Sequence, residues 1–144
     1  MVQTKIKDST SFNCEEFAIQ SYFSTLNQGQ FELTAALFSD QGQLVPPFDS
    51  PVTGPQAIAN YLKQEAVDMK FQPRSATSQV LPNGKTDVEV RGQVSTNVFK
   101  VSVVWNFLLS SQGRIDLVKV NLMASMQELL RINPQGWQEN QKTA

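Results

Sequence analysis

The sequence predicts an α+β fold in which a cone-shaped, bent antiparallel sheet carries helices on its concave side. Two observations lead there. Apolar residues recur at helical spacing up to about residue 68 and alternate from residue 69 onward. The 144 residues amount to one domain's worth of chain, so helices and sheet must close a single core.

Each element has its own signal. Residues 1–12 are polar and read as a flexible N-terminal segment, with the folded domain spanning 13–132. Asn13-Cys14-Glu15-Glu16 has the spacing of a capping box, which starts a first helix at Asn13. Ile19, Tyr22, Phe23 and Leu26 then share one face, and Asn27-Gln28-Gly29 ends the helix. Residues 31–38 read as a short second helix with Leu33, Ala36 and Leu37 inward. A short apolar run at 43–48 closes on Pro46-Pro47, which restricts it to an edge strand or one that bends away. Pro55 suits the first turn of a third helix, with Ile58, Tyr61, Leu62, Glu65 and Ala66 on one face.

Val88, Val90 and Val94 alternate with polar residues, as do Val101, Val103, Trp105, Phe107 and Leu109. Ser110-Ser111-Gln112-Gly113 is a hairpin turn into a strand with Val118, Val120 and Leu122 on one face. Ser125-Met126-Gln127-Glu128 is a second capping box, opening a closing helix through Ile132. Residues 133–144 are polar and predicted to be disordered.

Composition removes several classes of function. Lys+Arg number 12 against 13 Asp+Glu, so no basic excess exists to neutralise nucleic acid. No apolar run approaches the ~18–20 residues that span a bilayer, which predicts a cytoplasmic protein. The single Cys14 has no internal disulfide partner, which fits a reducing compartment; its place near a helix start leaves an intermolecular bond open. With no histidine there is no Ser-His or Cys-His pair, and one cysteine makes no zinc site. Among the carboxylates only Glu65 falls on an inward or boundary face, where a salt-bridge role is the more ordinary one. Acid–base catalysis therefore has little to work with, and the chain is read as a non-enzyme.

Inward positions offer apolar walls and two aromatic donors, Tyr22 and Trp105. A buried O–H or indole N–H needs an acceptor. Either each bonds a nearby backbone carbonyl or both serve a ligand. Two neutral donors suit a ketone, whereas a carboxylate would call for Arg or Lys.

The stretches YFSTLN at 22–27, VPPFDSPVTG at 45–54, YLKQEA at 61–66, VVWNFLL at 103–109 and VNLMASMQELL at 120–130 resemble the C-terminal domain of the orange carotenoid protein family, and still more its stand-alone cyanobacterial homologues. The resemblance runs in order from Phe17 to Arg131. It implies a nuclear-transport-factor-two-like fold and a bound ketocarotenoid of the canthaxanthin or echinenone type. Its keto group would accept hydrogen bonds at Tyr22 and Trp105, and Leu26, Phe71, Val103, Phe107 and Leu122 would form the pocket wall. Ala66 and Phe99 stand where some relatives carry cysteine, so thiol control of loading is not implied.

A carotenoid is a rigid rod, and a domain of this length has a radius of gyration of only ~14–15 Å. Exposed polyene is unfavourable by ~25 cal/mol per Å², so a homodimer closing over one pigment is expected, a keto ring in each cavity. The resemblance further implies a carrier that takes pigment through transient membrane contact and passes it to a helical carotenoid-binding protein, with singlet-oxygen quenching as a consequence. Two alternatives remain at this point: a cone-fold isomerase or dehydratase using Glu65, and a structural dimerisation module without ligand.

Overall fold

The computed structural model describes residues 4–6, as backbone, and residues 16–123. Cys14, the capping boxes at Asn13 and Ser125, the closing helix and the tail after Asn133 involve residues outside these. The first strand, β1 (Thr4–Ile6), lies within the segment expected to be flexible and pairs antiparallel with residues 75–77.

Helix α1 (Phe17–Asn27) buries Ala18, Ile19, Tyr22, Phe23 and Leu26, the face read from the spacing. It begins later than Asn13. Glu16 is extended at φ −81° and ψ 116°, and its carbonyl accepts the first helical bonds from Ile19 and Gln20. A residue in that conformation is an N-cap, not the third helical residue that the expected box requires. The helix ends as predicted. Gly29 takes φ +73°, and the N–H groups of Gly29 and Gln30 return to the carbonyls of Leu26 and Thr25, a Schellman closure.

Helix α2 (Phe31–Ala35) stops three residues before the expected Phe38 and turns a different face inward, with Phe31, Thr34 and Ala35 buried and Leu33 exposed. The reason is Phe38. Fully buried, it already opens strand β2 (Phe38–Val45), so the helix counts its inward positions from Phe31 instead of Leu33. The strand expected at 43–48 thus starts earlier and ends before Pro46-Pro47. A two-residue strand, β3 (Val52–Thr53), pairs with it. Gly54, at φ +90°, then admits Pro55 at the start of helix α3 (Pro55–Glu65), which buries Ile58, Ala59 and Leu62.

Four long strands follow: β4 (Lys70–Val80), β5 (Thr86–Ser95), β6 (Lys100–Leu109) and β7 (Ile115–Leu122). The curved sheet has the order β1-β4-β5-β6-β7-β2-β3. Its pairings are antiparallel with one exception, because β2 runs parallel to β7. Gly42 permits that junction, since a Cβ there would lie 2.7 Å from the Ile115 carbonyl. β4 and β5 shift register between Pro73 and Ser75, an irregularity of the kind that bends a strand. Opposite, a Cβ on Gly92 would lie 2.2 Å from the Gln72 carbonyl, so only glycine allows the two backbones to close there. The inward faces of α1, α3 and β5 to β7 merge in one core that includes Ile19, Ile58, Val88, Val90 and Val118. No described helix is long and apolar enough to cross a membrane.

Candidate functional site

Between the helices and the inner face of the sheet the core is not filled. A cavity of about 380 Å³ remains, predominantly apolar along its walls, within the range of small-ligand sites. Helix α1 brings Tyr22 and Leu26 to it one turn apart, β6 brings Val103 and Trp105 by strand alternation, and Phe71 and Leu122 come from β4 and β7. Six of the seven residues expected at the site therefore share one cavity.

The seventh, Phe107, does not reach it. Only 1% exposed, it lies behind Tyr22, with ring centroids 5.1 Å apart and planes at 90°. Trp105 is backed in the same manner by Phe23 at 4.8 Å and 80°. Phe107 shares the inward face of β6 with Trp105, but α1 covers that end of the strand with the Tyr22 ring. These edge-to-face contacts lock both donor rings by packing.

Tyr22 and Trp105 are themselves 2% and 1% exposed. Among the described residues neither Tyr22 Oη nor Trp105 Nε1 has a hydrogen-bond partner, although no fully enclosed side-chain polar atom goes unpaired. Both donors consequently face free space within the cavity, and the backbone acceptors allowed for in the sequence reading are not used. Burial, and to a smaller degree Tyr61, drives the Tyr22 phenol well above its ordinary pKa, so it stays protonated and able to donate.

The lining residues that reach solvent, among them Phe48 and Glu65, mark the open side of the cavity, its mouth. Tyr61 of α3 lines it, its hydroxyl 3.4 Å from Asp49 Oδ2 in the loop after β2, and burial followed by the charges of Asp49 and Glu65 pushes its pKa up to about 12. The same loop contributes Pro46, Pro47 and the exposed Phe48. Glu65, the one carboxylate considered for catalysis, is exposed at this rim and is not buried beside the donors. Ala66 and Phe99 also line the cavity. Tyr61 was legible as an apolar-face residue of the third helix but carried no signal marking it as rim.

Comparison with known proteins agrees with this architecture. The chain is 31% identical over 116 residues to the orange carotenoid-binding protein of Synechocystis sp. and 30% identical over 118 residues to that of Limnospira maxima. These matches cover 78% and 79% of this chain but only 37% of either relative. A solved orange carotenoid protein from Anabaena (Nostoc) sp., a structure described as binding canthaxanthin, superposes with a TM-score of 0.74 at 31% identity, over 89% of this chain and 41% of that one. The nuclear transport factor 2 (NTF2) domain model matches residues 14–124, the stretch that builds the bent sheet, the helices and the cavity, and the chain belongs to that family.

Proposed function

We propose that this chain binds a ketocarotenoid, with the keto oxygen of one end ring accepting hydrogen bonds from Tyr22 Oη and Trp105 Nε1. The observation that carries the reading is the pair of buried donors without acceptors on the wall of an apolar cavity. Leaving such donors unpaired costs ~1–3 kcal/mol each, and a conjugated ketone supplies the missing acceptor without introducing charge. Leu26, Phe71, Val103 and Leu122 contact the ring, while Phe107 supports Tyr22 from behind.

A cavity of about 380 Å³ holds an end group and not a whole carotenoid, so the polyene extends past the mouth. A second copy covering the other half is the simplest enclosure, giving one pigment per two chains. Each chain then acts as a carrier, loading from a membrane and releasing to a helical carotenoid-binding acceptor, and the bound polyene quenches singlet oxygen. The relatives' names and the bound canthaxanthin of the Anabaena protein support the ligand class.

The test is expression in cells that accumulate canthaxanthin. Wild type is expected to purify coloured and red-shifted relative to free pigment, at one pigment per dimer by sedimentation. Tyr22→Phe/Trp105→Phe is expected to lose the pigment or the shift. A colourless wild type from pigment-rich cells overturns the reading.

A further inference from the structure

We infer that Asn27 is a positioning residue for the cavity, acting as a one-residue strand that holds Phe71 in the wall; this rests on the ligand reading proposed above. The geometry is reciprocal. Asn27 Nδ2 donates to the Phe71 carbonyl at 2.8 Å, and the Phe71 N–H donates to Asn27 Oδ1 at 2.8 Å. A side-chain amide presents one acceptor and one donor side by side, the same pair a neighbouring strand would offer.

Phe71 turns both its N–H and its carbonyl to this amide. Among the described residues, β5 pairs along one side of β4 and β1 pairs with residues 75–77 on the other. Between Phe71 and those residues lie Pro73, which has no N–H, and the register shift. Asn27 thus pairs with the β4 backbone at the point where Phe71 lines the cavity.

Asn27 is well placed to fix it. It is the last residue of α1, and the Schellman closure through Gly29 and Gln30 pins the point from which its side chain starts. One residue earlier, Leu26 enters the cavity, and Tyr22 does so one turn before that. The helix end that presents the donor thus also sets the opposite wall. Asn27 itself is exposed, so water competes for both bonds and their contribution to global stability is small. Their effect is on where Phe71 sits.

The test loads wild type, Asn27→Leu and Asn27→Asp with canthaxanthin and follows release into phosphatidylcholine vesicles. Asn27→Leu is expected to release about tenfold faster, because Phe71 is no longer held in the wall against the bound ring. Asn27→Asp keeps the acceptor for the Phe71 N–H and is expected to fall between. Thr34→Val, which removes a buried hydroxyl at the α1–α2 contact, provides a destabilised control expected to release at the wild-type rate. Wild-type release by Asn27→Leu, or equal acceleration by Thr34→Val, overturns the inference and leaves the ligand reading standing. A wild type that takes no pigment overturns the ligand reading, and this inference with it.

Discussion

At the floor of the cavity Tyr22 and Trp105 stand edge-on to Phe107 and Phe23, all four buried, whereas at the mouth Phe48 is 75% exposed and Tyr61 reaches Asp49 only at 3.4 Å. Both regions are aromatic, and composition alone does not separate them. What separates them is how many neighbours fix each ring. Close packing at the floor leaves the donors one rotamer, which suits recognition of a single acceptor. Sparse contact at the mouth leaves the rim loop only a weak polar tie to α3, which suits entry and exit of a long ligand.

The largest effect that would sharpen this contrast is at Phe107. Phe107→Ala removes the ring against which Tyr22 stands and leaves a hole at the floor, and the expected loss is ~3–5 kcal/mol of unfolding free energy in urea. Pigment retention should fall too, because Tyr22 gains alternative rotamers. A loss below ~1 kcal/mol would mean that the floor collapses readily into the gap, and the distinction between a rigid floor and a loose mouth would fail.

A middle-sized effect separates the two regions by pH. Tyr22 and Tyr61 are the only tyrosines in the chain. Both have pKa values raised in the fold, Tyr22 chiefly by burial and Tyr61 to about 12 by burial and then by Asp49 and Glu65. An unfolded tyrosine ionises near ~10. Above that pH the folded chain holds more protons than the unfolded one, so stability falls as pH rises. The contribution is complete below pH ~10 and is lost as pH climbs through the folded values. Tyrosinate absorbance of native protein should show no step near pH 10, and Tyr22→Phe should retain only the step near 12. A step near 10 in that variant would show Tyr61 to be fully solvated and the mouth wider than the structure has it.

The same contrast governs what could be read from sequence. β5, β6 and β7 alternate Val, Trp, Phe and Leu with polar residues, so their inward faces were legible. β4 was less so, since Phe71 and Pro73 alternate with exposed polar residues only up to the register shift, and beyond it Ala76 is the one buried residue of the strand. The parallel pairing of β2 with β7 depends on the approach at Gly42, a tertiary event without a local pattern. Tyr22 and Trp105 could be picked out because a buried donor demands an acceptor whatever surrounds it. Phe107 could not be told from a wall residue: it alternates in phase with Trp105, and only the path of α1 decides which ring meets the cavity. Asn27 looked like an ordinary turn residue because its partner lies 44 positions away.

The smallest effect belongs to the mouth. Tyr61→Phe keeps the ring on the cavity wall and deletes only the hydroxyl that faces Asp49. That contact is long and exposed, so unfolding free energy should change by no more than ~0.5 kcal/mol. Release of bound canthaxanthin should nonetheless accelerate by roughly two- to threefold, because the loop at 46–50 loses its polar tie to α3 while the donors at the floor are untouched. The absorption maximum should accordingly stay at the wild-type position. Time-resolved transfer to vesicles beside a urea titration measures both quantities on one preparation. If Tyr61→Phe instead shifts the absorption maximum as Tyr22→Phe does, the ligand's polar end lies at the mouth, and the assignment of recognition to the floor would have to be reversed.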